Sequence, residues 1–189
     1  DCEIGRDTII YPNTYIQKGT IIGANCLVGP NVRLEGAVLE DQVTIEQSVV
    51  LEGRIGSRTT VGPFAYIRPG TVIGTHCRIG DFVEIKNSQI ADESKVPHLT
   101  YVGDAVVGSH VNIGCGMITC NYDGKKKHQT IIEDNCFIGS NVNLVAPVRL
   151  HKGAFIAAGS TVTEDVPEYS LAIARARQVN KEGWNKREG

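Results

Sequence analysis

The sequence has 189 residues, of which 41% are hydrophobic but only 6% aromatic, and its formal net charge is −2. A chain this close to neutrality carries no broad basic surface, which excludes charge-driven binding to nucleic acid or to an acidic membrane. No apolar run approaches the roughly 20 residues that a membrane-spanning helix needs, and no charged-then-apolar leader opens the chain, so we expect a cytoplasmic protein.

An aliphatic residue returns at every sixth position, a period that belongs neither to a helix nor to a lone strand. Helices repeat near 3.6 residues and strands at 2. A period of six predicts a prism of short parallel strands, in which each hexad forms one wall, about 18 residues complete a coil, and coils stack roughly 4.8 Å apart. The all-β solenoid rests on three blocks of aliphatic residues: Ile4, Ile10, Ile16, Ile22, Val28 and Leu34; Ile55, Val61, Ile67, Ile73, Ile79 and Ile85; and Ile132, Ile138, Leu144, Leu150, Ile156 and Val162.

The repeat is interrupted at residues 90–106 and again at residues 119–130. Insertions in repeat proteins project from the stack, often on the binding face, so we expect two external loops that carry the chemistry. After Val162 the sequence becomes polar and basic, and we expect an arm with a helix over residues 170–179. We therefore divide the chain into a solenoid domain, residues 1–167, and a C-terminal arm, residues 168–189.

Flat prism walls pack readily side by side, and threefold closure suits a triangular cross-section. We therefore predict a homotrimer with sites between subunits.

The cysteines and histidines do not follow the spacing of a metal site. The chain has six cysteines and no CxxC pair, and Cys26, Cys77 and Cys136 share the fifth position of a hexad, which predicts buried reduced thiols. Among the five histidines, His76 and His110 share one hexad position, but a third ligand is not evident. We expect no catalytic metal.

Six motifs in a fixed order carry a resemblance to a known family. The hexads resemble those of the hexapeptide-repeat acyltransferases, and the ordered motifs are similar to the C-terminal acetyltransferase domain of the bifunctional N-acetylglucosamine-1-phosphate uridyltransferase and glucosamine-1-phosphate acetyltransferase family. This resemblance covers essentially the whole chain and implies a left-handed parallel β-helix. It does not extend to the uridyltransferase half of that family, so we expect this chain to acetylate but not to form the UDP-sugar. The motifs are Arg68-Pro69-Gly70, Phe82-Val83-Glu84-Ile85-Lys86, His98-Leu99-Thr100-Tyr101, Asn112-Ile113-Gly114, Thr119-Cys120-Asn121-Tyr122-Asp123-Gly124 and Lys181-Glu182-Gly183-Trp184.

The resemblance implies transfer of acetyl from acetyl-CoA to the amine of glucosamine 1-phosphate, giving N-acetylglucosamine 1-phosphate for the synthesis of UDP-N-acetylglucosamine and peptidoglycan. It implies direct attack by the amine, with His98 as general base because imidazole titrates near neutral pH. Glu84 is expected to orient His98, Asn121 to position the amine, and Ser140 to stabilise the thioester oxygen.

The same resemblance assigns the binding residues. Arg68, Lys86, Tyr101 and Asn112 are expected to hold the sugar phosphate, and Lys127 to reach the site from a neighbouring subunit. A guanidinium and an ammonium suit a phosphate dianion because they bind it through charge-assisted hydrogen bonds. The expected contacts to acetyl-CoA are Cys115, Asn121, Tyr122, Ser140, Ala158 and Arg175.

Other functions remain open for a hexapeptide solenoid. Another acyltransferase of this class would use serine, a sugar nucleotide or an antibiotic as acceptor. A non-catalytic solenoid would serve as a trimerisation scaffold and would not bind coenzyme A. A covalent acetyl-cysteine at Cys115 is a further alternative to direct attack.

Overall fold

The computed structural model describes residues 1–184, and the last five residues of the expected C-terminal arm lie outside that range. The chain winds through about ten turns of a parallel β-solenoid. Three sheets of nine, ten and nine strands form its walls, here called walls A, B and C, and every strand pairs with the strand one coil away. The predicted prism is therefore confirmed.

The strands are two to four residues long and are numbered β1 to β28 in chain order. Wall A contains β1 (Glu3–Ile4), β4 (Ile21–Ile22), β7 (Val38–Leu39), β10 (Arg54–Ile55), β13 (Val72–Ile73), β16 (Gln89–Ile90), β19 (Ala105–Val107), β22 (Thr130–Ile132) and β25 (Val148–Leu150). Wall B contains β2 (Ile9–Ile10), β5 (Leu27–Val28), β8 (Thr44–Ile45), β11 (Thr60–Val61), β14 (Arg78–Asp81), β17 (Lys95–His98), β20 (Asn112–Ile113), β23 (Phe137–Ile138), β26 (Phe155–Ile156) and β28 (Leu171–Ala172). Wall C contains β3 (Tyr15–Ile16), β6 (Arg33–Glu35), β9 (Val49–Leu51), β12 (Tyr66–Ile67), β15 (Glu84–Lys86), β18 (Tyr101–Gly103), β21 (Ile118–Cys120), β24 (Asn143–Val145) and β27 (Thr161–Val162).

The six-residue period arises because each wall turns one aliphatic side chain into the prism. Val28, Ile45 and Ile79 on wall B are fully buried, while the residues that precede them point outward. Stacking these inward residues removes their surface from water, which stabilises the fold by about 25 cal/mol per Å² of buried apolar area. The predicted burial of Cys26 and Cys77 is confirmed, and both thiols are free.

The structure corrects the first predicted external loop. Residues 90–106 do not leave the stack, because Val96 and Val102 continue the fully buried aliphatic columns. Arg78 pairs with Lys95 and Glu84 with Tyr101, so this coil is one residue shorter than an 18-residue coil and lacks an insertion. The repeat was hard to recognise because two of the spacings between inward residues, Ile85 to Ile90 and Val102 to Val107, are five residues and not six.

The second predicted loop is confirmed as an insertion. Ala105 pairs with Thr130 on the next coil, so the chain between them is longer than one coil by seven or eight residues. The extra residues form a hairpin over residues 121–128, closed by an isolated antiparallel bridge between Tyr122 and Lys127. We call this segment the 121–128 hairpin.

The predicted helix over residues 170–179 is wrong. Leu171 and Ala172 instead add strand β28 to wall B, where Leu171 pairs with Phe155 and Ala172 with Ile156. The amide of Thr161 bonds to the carbonyl of Ala174, so the chain follows the stack beyond the strand. A solenoid end offers unpaired strand groups, and satisfying them outweighs the high helix propensity of a short run rich in alanine and arginine. The division at residues 167 and 168 remains a prediction.

No helix within residues 1–184 is long and apolar enough to cross a membrane.

Candidate functional site

The residues singled out in the sequence gather mainly along the two edges of wall C. Four of them stack on successive coils at the corner where wall B turns into wall C. Each lies two residues after an inward aliphatic residue, and those aliphatic residues pair in register across wall B. One coil advances roughly 4.8 Å, so the four residues span about 14 Å along the prism axis. This set, called the corner column, consists of His98, Cys115, Ser140 and Ala158.

The backbone behind the corner column is packed too tightly for side chains. A Cβ on Gly139 would lie 2.5 Å from the amide nitrogen of Ala158, and one on Gly114 would lie 2.7 Å from that of Ser140. Beyond Ala158, at the end of the column nearer the C-terminus, the side chain of Arg175 lies next to Gly159. The column therefore forms a shallow strip with a cation at its upper end.

His98 and Asp81 are register partners on neighbouring coils, and Nδ1 of His98 contacts a carboxylate oxygen of Asp81. This contact lowers the pKa of the Asp81 carboxyl below its ordinary value. Because an ionised carboxylate only accepts hydrogen bonds, a neutral His98 keeps its proton on Nδ1 and its lone pair on Nε2. The arrangement suits proton acceptance at Nε2.

The expected contact between Glu84 and His98 is not formed. Glu84 points outward from wall C and accepts a hydrogen bond of 2.8 Å from Arg68. His98 lies at the preceding corner, where Asp81 takes the partner position expected of Glu84.

Three cations meet on wall C below the level of His98. Arg68 and Lys86 occupy the same register position on adjacent coils. Lys127, from the 121–128 hairpin, contacts Lys86, and this contact lowers the pKa of Lys127. Contact with Lys127, followed by the Asp104 carboxylate, raises the pKa of Lys86. We call Arg68, Lys86 and Lys127 the cation cluster.

Lys127 therefore contacts Lys86 of its own chain, whereas the resemblance implied that Lys127 reaches the site from a neighbouring subunit. The reason is the hairpin bridge with Tyr122, which turns Lys127 back over wall C. Two cations in contact repel each other unless an anion lies between them or one gives up its proton. The cluster is thus suited to a phosphate group.

Beside the cation cluster, Tyr101, Asp104 and Asn121 form a polar network. The amide nitrogen of Asn121 donates to Asp104 at 2.6 Å and to the hydroxyl of Tyr101 at 3.4 Å. Gly103 makes room for both, since a Cβ there would lie 2.4 Å from the Tyr101 hydroxyl and 2.7 Å from the Asn121 amide nitrogen.

Asp123 organises the 121–128 hairpin. Its carboxylate accepts hydrogen bonds of 2.8 Å from the backbone amides of Lys125 and Lys126, and one of 2.7 Å involves Nε2 of His128. The backbone bond from Lys126, then His128, lowers the pKa of Asp123 from 3.8 to about 2. The hairpin that carries Asn121 and Lys127 is therefore held from within.

We expect Asp123→Asn to loosen this hairpin and to remove a pH-dependent part of its stability. Because the folded pKa is below the unfolded one, the ionised carboxylate stabilises the hairpin above about pH 4 and loses that effect as the pH falls toward 2. Wild type should therefore exceed Asp123→Asn in melting temperature at pH 7, and the gap should narrow in acid. Lys126→Ala keeps the backbone donor and is the control. An equal difference in melting temperature between wild type and Asp123→Asn at pH 7 and pH 2.5 would contradict this role of the Asp123 carboxylate.

Asn112 and Tyr122 lie apart from these groups. Asn112 lies on the outer face of wall B, in a groove of about 530 Å³ that also borders His76, Lys95 and His110. Tyr122 is exposed on the hairpin, where its hydroxyl donates to the carbonyl of Gly124 at 2.8 Å. A single chain thus does not bring Asn112 to the cation cluster.

His76 and His110 do stack along one corner, but their neighbours are not those of a metal centre. His76 approaches Arg58 at 3.4 Å, and His110 approaches Glu93 at 3.3 Å. Residues 1–184 contain no cluster of three or more His, Cys, Asp or Glu side chains that is suited to a metal ion.

Two acidic residues at the site, Asp81 and Asp104, were not predicted from the sequence. Asp81 lies one 17-residue coil before His98, and a correct count of the shortened coil would have revealed it. Asp104 follows Gly103 at a corner with a positive φ of 50°, which has no distinctive sequence pattern.

Two family models match the chain. The bacterial transferase hexapeptide model, with six repeats, matches residues 1–36 and 129–164, and the GMPPB C-terminal domain model matches residues 52–123. Among solved structures, a UDP-N-acetylglucosamine acyltransferase is 27% identical with a TM-score of 0.57, over 91% of this chain and 71% of that one. The UDP-N-acetylglucosamine acyltransferase LpxA of Bacteroides fragilis is 22% identical with a TM-score of 0.60, over 86% and 70%, which establishes the likeness in fold. The solenoid is thus the left-handed parallel β-helix of hexapeptide proteins.

Two curated relatives match almost the whole chain. The bifunctional protein GlmU of Carboxydothermus hydrogenoformans is 60% identical over 183 residues, which are 97% of this chain and 41% of that protein. The bifunctional protein GlmU of Acetivibrio thermocellus is 59% identical over 189 residues, all of this chain and 41% of that protein. The chain spans about two fifths of the length of these relatives. It belongs to the hexapeptide-repeat transferases and, within them, to the GlmU family, whose C-terminal part it matches from end to end.

Proposed function

We propose that this chain transfers acetyl from acetyl-CoA to the amine of glucosamine 1-phosphate, giving N-acetylglucosamine 1-phosphate and coenzyme A. The product would serve the synthesis of UDP-N-acetylglucosamine and, through it, peptidoglycan. The observation that carries the proposal is the cation cluster beside the Asn121 network, one to two coils below His98. A sugar phosphate with a free amine matches this order of groups.

The phosphate is proposed to bind the cation cluster. Arg68 is already paired with Glu84, and Lys86 lies 3.3 Å from both oxygens of Asp104, so Lys127 supplies a third, exposed cation. A dianion gains charge-assisted hydrogen bonds from such a set, which are about twice as strong as neutral ones. Tyr101 would complete the polar contacts to the sugar.

The proposed chemistry is direct attack of the amine on the thioester. His98 accepts a proton at Nε2 as the C–N bond forms, while Asp81 holds Nδ1 and stabilises the imidazolium. The C–S bond then breaks, and the proton reaches the leaving thiolate to give the coenzyme A thiol. Ser140 is proposed to donate to the thioester oxygen as negative charge develops there. Cys115 needs no covalent role in this scheme.

Acetyl-CoA is proposed to lie along the corner column. Cys115, Ser140 and Ala158 follow His98 on successive coils, which suits an extended chain laid parallel to the prism axis. Arg175 at the upper end would bind a phosphate of the coenzyme. Tyr122, which is exposed on the hairpin, would flank the coenzyme near the acetyl group.

A complete site is proposed to need a second copy of the chain, in a homotrimer. The support is Asn112, which lies on wall B, away from the cation cluster on wall C of the same chain. Packing wall B of one copy near wall C of the next would bring Asn112 to the substrate. An active monomer in sedimentation experiments would contradict this arrangement.

The test of function is thiol release from acetyl-CoA with different acceptors. We expect release with glucosamine 1-phosphate and at least tenfold less with glucosamine, serine or UDP-N-acetylglucosamine at equal concentration, because they lack either the 1-phosphate or the free amine. Absence of both acetyl-CoA binding and turnover on any acceptor would favour a scaffold and contradict the proposal.

A further inference from the structure

The carboxylate of Asp104 accepts hydrogen bonds from three different side chains. Its side chain is only 13% exposed, and it accepts hydrogen bonds from Asn87 at 2.7 Å, Asn121 at 2.6 Å and Lys86 at 3.3 Å. Burial works against its ionisation, but the bonds from Asn87, Lys86 and Asn121 lower the pKa of Asp104 overall. Asp104 is therefore an anion at neutral pH.

An anion at this point determines how the Asn121 amide is turned. The nitrogen and oxygen of an asparagine amide have similar shapes, and only the hydrogen-bond partners distinguish the two orientations. A carboxylate at 2.6 Å repels the amide oxygen and attracts the N–H group, so Nδ2 must face Asp104. The second N–H of Nδ2 points toward the Tyr101 hydroxyl at 3.4 Å.

This orientation leaves the amide oxygen of Asn121 free to accept a hydrogen bond. Within the part of the chain that the structure describes, no donor reaches that oxygen, although Asn121 as a whole is only 7% exposed. An acceptor next to a cation cluster selects a ligand group that carries N–H bonds. The amine of an amino sugar has that chemistry.

We propose that Asp104 is a positioning residue that fixes the Asn121 amide with its oxygen toward the acceptor amine, an inference that rests on the acetyltransferase function proposed above. Asp104 also contacts Lys86 of the cation cluster, so a single carboxylate connects the groups proposed for the amine and for the phosphate. Correct placement of the amine lets its lone pair face the thioester.

Asp104→Asn keeps the shape of the side chain but loses the charge that orients Asn121. We expect kcat to fall by about 10- to 100-fold, because small errors in placement cost about two orders of magnitude in rate. KM for glucosamine 1-phosphate should not rise, since Lys86 loses a competing anion. A purely structural role for Asp104 would instead raise KM, as Lys86 and the hairpin shifted together.

A double-mutant cycle and a control separate the two roles. In the Asn121→Ala background, Asp104→Asn should lower kcat by less than about threefold, because the amide it positions is gone. Asn87→Ala removes another donor to the same carboxylate and should leave kcat within about threefold of wild type. An undiminished effect of Asp104→Asn in the Asn121→Ala background would overturn the proposal.

A nuclear magnetic resonance measurement tests the contact without any acceptor and without an Asp104 variant. The side-chain NH2 signals of Asn121, assigned by their loss in Asn121→Ala, should shift as acid protonates Asp104. Signals that do not respond to acid would overturn the proposal. If wild type released no thiol with glucosamine 1-phosphate, the proposed function would fail, while these signals would still decide whether Asp104 orients Asn121.

Discussion

Replacing His98 by alanine is expected to lower kcat for thiol release from acetyl-CoA by about 10²- to 10⁴-fold, the range for loss of a general base. The amine can attack only when it loses a proton as the C–N bond forms, and Nε2 of His98 is the acceptor proposed for it. KM for both substrates should change little, because the imidazole is not proposed to bind either ground state. Steady-state kinetics with both substrates varied would measure this split.

His110→Ala is the matched control for this substitution. His110 also pairs with an acid on a neighbouring coil, since its Nδ1 lies 3.3 Å from Glu93, and it is similarly exposed on the opposite side of wall B. Loss of such a surface pair costs little stability and should leave kcat unchanged. If His98→Ala kept more than a tenth of the activity, His98 would not be the base.

The Asp81→Asn variant tests the carboxylate that the structure places beside His98. The variant keeps a hydrogen-bond acceptor near Nδ1 but loses the charge that stabilises the imidazolium, so we expect a fall in kcat of tenfold or more. Glu84→Gln should leave the imidazole untouched because Glu84 bonds to Arg68. The pair of variants thus distinguishes the carboxylate seen beside His98 from the one expected there.

The regular part of the fold could be predicted because one physical requirement repeats. Each coil must turn an aliphatic residue inward at every wall, so Ile79 and Ile85 recur at a readable spacing. The same requirement operates at Val96 and Val102, yet the shortened coil changed the spacing and concealed them. A search for a strict six-residue spacing fails where a corner is one residue shorter, although the columns of buried aliphatic side chains continue there.

The candidate site was predictable in its members but less so in its contacts. The motifs pointed to His98, Lys86 and Asn121, since a resemblance transfers residue types at aligned positions. The resemblance could not show which carboxylates contact these residues. Asp81 and Asp104 become their neighbours only through the stacking of coils. Asp81 could have been found from the sequence, because it lies about one coil before His98.

The second large effect is expected for the phosphate group. Arg68→Ala should raise KM for glucosamine 1-phosphate by about 10- to 100-fold, because a hydrogen bond between charged groups contributes about 1.5–3 kcal/mol. The loss also leaves Glu84 unpaired beside the phosphate, since Arg68 binds that carboxylate at 2.8 Å in the free protein. Unpaired, Glu84 would repel the dianion.

Comparison with glucosamine shows whether the effect belongs to the phosphate. Glucosamine lacks the phosphate but keeps the amine, so its kcat/KM should be nearly the same in wild type and in Arg68→Ala. Arg33→Ala is the control, because Arg33 forms a similar exposed pair with Glu35 at 2.7 Å on wall C, three coils below Glu84. An equal loss with both acceptors would mean that Arg68 supports the fold of wall C and does not bind the phosphate.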